Sequence, residues 1–208
     1  MSIYDFADKA IREMNRSNLK AFNRLKLSKW DELSVIRAVS DVYAASTALA
    51  KRKYTEIGID AFVAALEEAG LEKQMAKGMA EDEITSDWTL DMLEEADPVT
   101  LYIFLDEAER KKQRLIEALA ATQNKNAEID KALRYWAKQT AQYTINATDR
   151  ARIGAFKAVG VKRVMWHTEK DNRVCHDCAP LDGEVFDIDA VPPKPHLNCR
   201  CWITAAKD

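Results

Sequence analysis

Apolar residues recur at steps of three and four over most of the chain, the spacing of one helical face. Ile3, Phe6, Ala7, Ala10 and Met14 trace a first stripe. Val35, Ile36, Val39, Val42, Tyr43 and Leu49 trace a second, introduced by Ser28-Lys29-Trp30-Asp31, which reads as an N-cap with a carboxylate three residues on. Phe62, Val63, Leu66 and Ala69 predict a third, shorter helix that stops near Gly70. Residues 76–98 are less regular and acidic, and Asp97-Pro98 marks a break. Leu101, Phe104, Leu105, Ala108, Leu115, Leu119 and Thr122 then predict a long amphipathic helix. Ile129, Leu133, Trp136, Thr140, Tyr143 and Ala147 predict another. Only Asn124-Lys125-Asn126 can turn between these two, so they should pack as an antiparallel hairpin.

At Gly160 the period changes. Val161 to Trp166 is rich in strand formers, and short strands are also expected at Glu184–Ile188 and Arg200–Thr204. Pro180, Gly183, Pro192, Pro193 and Pro195 fill the intervening loops. The expected fold is mainly α, with long helices, an antiparallel helical hairpin and a small C-terminal β/loop module stapled by zinc. The expected divisions are residues 1–98 (an N-terminal helical region), 99–158 (the hairpin) and 159–208 (the zinc-binding module). A unit as small as the last buries little apolar surface and usually needs a staple.

Apolar residues make up 47% of the chain and charged residues 31%, the balance of a globular protein rather than a disordered one. The net charge of -3 gives no overall bias toward nucleic acid, although a local patch would suffice. The runs Lys51-Arg52-Lys53 and Arg110-Lys111-Lys112-Gln113-Arg114 read first as solvated helix faces and second as phosphate contacts. No apolar run approaches the ~18 residues of a membrane span, so no membrane partner is expected. The first residues are charged and helical, unlike a secretory leader. A reducing cytoplasm is therefore expected, where cysteines serve metals or catalysis more often than structural disulfides.

All four cysteines and two of the three histidines fall between Arg173 and Trp202. The pattern is Cys175-x2-Cys178-x17-His196-x2-Cys199-x-Cys201. Two thiols two residues apart let one tight turn present both sulfurs to one ion, and a second pair of soft ligands about twenty residues on completes a tetrahedron. Cys175, Cys178, His196 and Cys199 are the first choice of ligands. Cys201 is the alternative, in place of Cys199 or His196, because on a regular strand residues 199 and 201 face the same side. His176 is a weaker candidate, pointing to solvent or the outer shell, and His167 weaker still. These soft donors suffice to close the shell, which favours structural Zn2+ over a catalytic ion with an open position.

Trp166-x-Thr168-x2-Asp171-x-Arg173-x-Cys175-x2-Cys178, then Leu181-Asp182-Gly183, then Pro195-His196-x2-Cys199-Arg200-Cys201, resembles the C-terminal domain of the phage Mu F-like head morphogenesis family. Residues 147–156 resemble that family's preceding helix, with Asp149 where Glu is usual. The resemblance spans roughly residues 100–204 and implies a non-enzymatic minor capsid protein at or near the portal vertex. It would act in head assembly or DNA delivery, with portal or major capsid protein as partners, packaged DNA as a further one, and no small-molecule substrate. Its place would be the virion, and the host cytoplasm during assembly. Within the motif, Asp171 and Arg173 are candidates to pair or cap the first metal turn, Gly183 for a positive-φ turn, and Arg200 for a partner contact. Competing readings are a metal-dependent nuclease of HNH or treble-clef type and a non-catalytic nucleic-acid-binding adaptor.

Overall fold

The computed structural model describes residues 5–26, 31–169 and 174–206. Ile3, the Ser28 to Trp30 part of the expected cap, Asp171 and Arg173 lie outside them. The elements run α1 (Asp5–Leu25), α2 (Glu32–Glu68), α3 (Lys73–Glu83), α4 (Ser86–Glu94), α5 (Phe104–Ala121), α6 (Lys125–Ala158), β1 (Arg163–His167), β2 (Val185–Asp187) and β3 (Trp202–Ala205).

The second and third stripes belong to one helix. Between them Ala50, Tyr54, Ile57, Gly58 and Ala61 are all buried, so α2 carries its contact surface through the stretch that holds the Lys51-Arg52-Lys53 run. Gly58 is where α4 closes in. A Cβ there would lie 2.7 Å from Ile84 Cγ2 and 3.0 Å from Trp88 Cζ3. The N-cap of α2 is Asp31, whose Oδ1 accepts from Ser34 N at 3.0 Å. The irregular stretch before Asp97 forms two short helices, the second capped by Thr85 through Trp88 N.

The hairpin is formed by α5 and α6. Asn124 is the N-cap of α6, accepting from Ala127 N. Lys125 Nζ reaches back to Leu119 O and Thr122 O, satisfying carbonyls at the C-terminus of α5 and placing a cation there. Leu101 precedes the helix instead of opening it, with φ 60 and its side chain exposed. The loop holding it is organised by buried Asp97, whose carboxylate accepts from Val99 N, Gln142 Nε2 and Asn146 Nδ2.

The helices α2 and α6 run side by side in the same direction. Tyr54 donates to Thr140 O, Phe62 lies beneath Gly154, and Glu68 meets Arg152. Both end alike. Gly70 (φ 96) and Gly160 (φ 76) take the left-handed position, and Leu71 N and Val161 N bond back to Leu66 O and Phe156 O, closing a Schellman turn at each.

Past that turn the sheet has the order β2-β1-β3, antiparallel throughout, with Val164 opposite Phe186 on one side and Ala205 on the other. Its buried side chains Val164, Trp166, Ile188 and Ile203 pack on Phe62, Leu66, Ala151, Ala155 and Phe156. A second cluster, built on Met14, Phe22, Tyr43, Tyr54, Phe104, Trp136 and Tyr143, joins α1 and α5 to the other half of α2 and α6.

The outer edge of β3 is not left open. Arg152, 1% exposed, donates through Nε and Nη2 to Ile203 O at 3.2 and 2.8 Å and pairs with Glu68 Oε2 at 2.5 Å. Glu68 Oε1 accepts from Ala205 N at 3.0 Å. One ion pair between the two long helices thus supplies the partners that an edge strand otherwise lacks.

Candidate metal centre

Two loops converge at the far end of the sheet from its turn into α6. The first is a tight turn in which Cys178 N and Ala179 N both bond to Cys175 O, and Cys178 N also lies 3.3 Å from Cys175 Sγ. A 3-10 turn over Ala179–Leu181 follows. Gly183, at φ 85, then lets the chain reverse, so that Gly183 N bonds to Trp166 O and Glu184 O accepts from Trp166 N. The positive φ expected of Gly183 is present.

The second loop carries His196, Asn198, Cys199 and Cys201 into β3. Asn198 sits at φ 55, and its N–H is held at 2.7 Å by Oε1 of buried Gln142. The same Gln142 side chain donates to Asp97, so a polar chain runs from the loop before α5, through α6, to the metal loop. Lys194 pairs with Asp149 at 3.1 Å and also donates to Cys201 O. Asp149 therefore anchors the proline segment to α6. Gln142 and Lys194 carry no sequence signal of their own, because both act on backbone or on partners far away in the chain.

The donor atoms meet. Cys178 Sγ lies 3.3 Å from His196 Nε2 and 3.5 Å from Cys199 Sγ. Cys175, Cys178 and His196 form one group, and Cys178, Cys199 and Cys201 another, each with its ligand atoms within 4.8 Å of one another. A tetrahedral ion with bonds of ~2.3 Å to sulfur and ~2.05 Å to nitrogen would hold its ligands about 3.8 Å (S to S) and 3.5 Å (S to N) apart. The two Cys178 distances come within a few tenths of an ångström of those values, whereas Cys199 falls outside the group formed by Cys175, Cys178 and His196, so one ion held by the first-choice four would have to draw it inward. His196 Nδ1 is 3.0 Å from Leu197 O, and a proton held there leaves Nε2 free to ligate.

The thiols are not equivalent. The hydrogen bond with Cys201 brings Cys199 down to about 5, with the Lys194 charge also contributing. Burial, then contact with Cys175 and Cys199, pushes Cys178 up to about 12. Cys201 is raised further, chiefly by its hydrogen bond to Cys199. Cys175 is lowered as well, its burial outweighed by its hydrogen bonds with Cys178 and Asp177, so the cluster favours thiolate at Cys175 and Cys199 over Cys178 and Cys201.

Trp166 is buried under the cluster, against Phe186, with Lys194 Nζ 5.6 Å from its ring. Arg200 and Glu169 line the ~100 Å³ hollow around the donors. The other two histidines lie elsewhere. His167 Nε2 bonds to Thr204 Oγ1 across the strands at 2.7 Å and its ring stacks on Trp202. His176 is fully exposed beside Asp177. Neither belongs to a donor group among the described residues.

Five cations of the two basic runs are paired with carboxylates. Lys53 pairs with Glu13 and Glu56, and Arg52 with Glu56. Arg110 and Lys111 engage buried Glu107, and Lys112 engages Glu109. No helix among the described residues is long and apolar enough to cross a membrane.

Residues 105–204 match the family model described as Phage Mu protein F like protein. No curated protein and no solved structure gives a significant match. The matched segment starts one residue into α5 and stops within β3, so it takes in nearly all of the hairpin and all four cysteines with His196.

Proposed function

From the premise that this chain belongs, through residues 105–204, to the phage Mu F-like family, we propose that it is a minor capsid protein of a tailed phage, acting structurally in head morphogenesis at or near the portal vertex. The observation that carries the reading is the agreement between the family match and one physical unit, a hairpin that ends in a knob, a small sheet bearing the cysteine and histidine cluster. Asp149, Arg150 and Arg152, on the family's characteristic helix, reach Lys194, Glu95 and the Glu68 and Ile203 pair. That helix is thus the bracket that seats the knob. Partner contacts fall to portal or major capsid protein, with Arg200 at the rim of the knob.

The resident ion of this reading is structural Zn2+, held by Cys175, Cys178, His196 and Cys199. Cys201 lies beside Cys199, and Cys201 in place of Cys199 or His196 is the alternative set. Zinc would tie the two loops together and supply on the order of 10 kcal/mol to the module. With five soft donors for four positions the shell closes without an open site, which favours a non-enzymatic role over the nuclease.

The test is assembly. Proheads made with and without portal protein are purified by sedimentation and probed for this chain. Co-sedimentation that requires portal protein is the expected result. A chain that sediments with neither particle refutes the proposal.

A further inference from the structure

Two sets of cations on the helices differ in how the sequence shows them. Those conspicuous as runs are mostly paired with carboxylates, as described above. Those of α1 are scattered in the sequence and escape notice there. Lys9, Arg12, Arg16, Lys20 and Arg24 follow steps of three and four, and all five are exposed. At 100° per residue they fall within an arc of about 120°, opposite the buried face made by Ala7, Ala10, Met14, Asn18, Phe22 and Leu25. Lys9, Arg12, Arg16 and Lys20 form no hydrogen bond or ion pair among the described residues. Between residues 9 and 24, Glu13 is the one carboxylate inside the arc; Lys53 of α2 takes it at 2.8 Å, and Lys9 and Arg16 are close enough to feel its charge.

From this placement we infer that the outer face of α1 is a contact surface for the phosphate backbone of duplex DNA. The five cations repeat about every 6 Å along a straight line of about 22 Å, at 1.5 Å per residue. Between residues 9 and 24 the arc holds only charged or amide side chains, with Glu13 and Asn23 as the others. An interface for another protein is built around an apolar core, whereas a polyanion requires only cations at regular spacing. The rest of the molecule supports the orientation. Residues 67–95 carry ten carboxylates and two lysines. The helices α3 and α4 within that stretch pack on α2 through Gly58 and Thr55, away from the Lys53 side that faces α1. A duplex is therefore attracted to one flank and repelled from the other. This inference does not rest on the family reading, because α1 lies outside the matched residues.

The experiment titrates the full-length protein against a labelled 20-base-pair duplex of arbitrary sequence, from 50 to 200 mM KCl, by fluorescence anisotropy. Four or five phosphate contacts give a log-log slope near -4, an affinity loss of about 250-fold over that range. Arg16→Gln combined with Lys20→Gln lowers the slope by about 1.8, and Lys73→Gln combined with Lys77→Gln on α3 leaves it unchanged. Circular dichroism confirms that both variants are helical. No binding at 50 mM KCl, or an equal change in both double variants, overturns the inference. So does salt-sensitive self-association in sedimentation without DNA that the α1 variant abolishes, which would assign the face to an acidic protein surface. Failure of the portal experiment would leave this result standing, and the reverse holds too.

Discussion

Replacing Arg152 by Ala tests whether the C-terminal module hangs on the helices as well as on the proposed zinc. The guanidinium is buried and makes three bonds, two to the Ile203 carbonyl and one to Glu68. Hydrogen bonds from a charged group are worth about 1.5–3 kcal/mol each, and a buried pair broken on one side costs about 3–5 kcal/mol. Glu68 is 28% exposed, so water recovers part of its loss and it keeps Ala205 N. The Ile203 carbonyl has no such recourse, and about 3 kcal/mol is the expected net cost. The loss should be local. Hydrogen exchange of the β1 and β3 amides accelerates by about a hundredfold, the factor matching 3 kcal/mol, while α1 and the first half of α2 keep their protection. Exchange in β3 that stays within threefold of wild type in Arg152→Ala, metal present, would refute the clamp.

Three further outcomes are expected. In metal analysis, Cys178→Ser loses the bound ion, because Cys178 belongs to both donor groups, whereas Cys201→Ser retains one equivalent; loss in Cys201→Ser with retention in His196→Ala would install the alternative ligand set. Gly58→Ala lowers stability by about 1–3 kcal/mol in urea denaturation, since the new methyl meets Ile84 and Trp88. Gly78→Ala, with nothing within 4 Å, raises it by about 0.5–1 kcal/mol, and equal effects would undo the packing argument. The Asp31 carboxyl is held below its usual range by the Ser34 hydrogen bonds, so its folded value is the lower one. Its contribution is complete above the unfolded value, about 3.9, and is lost as pH falls through the folded value. Exchange at the first turn of α2 should rise in that window, and Asp31→Asn, which caps without charge, should flatten the dependence.

How much of this was legible beforehand depends on the range of each interaction. The hairpin, the Asp97-Pro98 break and the ends at Gly70 and Gly160 rest on local chemistry, and the sequence pattern finds them. The cysteine turn is also local. The continuity of α2 is not, because Tyr54, Ile57 and Gly58 face partners more than twenty residues away and on different sides, which blurs any single stripe. Leu101 reads as helical by spacing, but buried Asp97, tied to Gln142 and Asn146, draws the chain into a loop first. Gln142 holding Asn198 spans 56 residues and uses a backbone donor, which no motif records. The α1 cations hid for a different reason, since a face repeating every three or four positions never forms a run.

The two parallel helices have a mechanical consequence. At 1.5 Å per residue, 37 and 34 residues make rods of about 55 and 51 Å. Glycine is where such a rod yields, and each has one. Gly58 is wedged by Ile84 and Trp88, and Gly154 is backed by Phe62 of the neighbouring rod. The pair therefore behaves as a stiff ruler with its soft points splinted. A partner gripping the knob and one gripping the opposite end are held at a separation set by helix length alone. Load applied at one end arrives at the other as displacement rather than as bending.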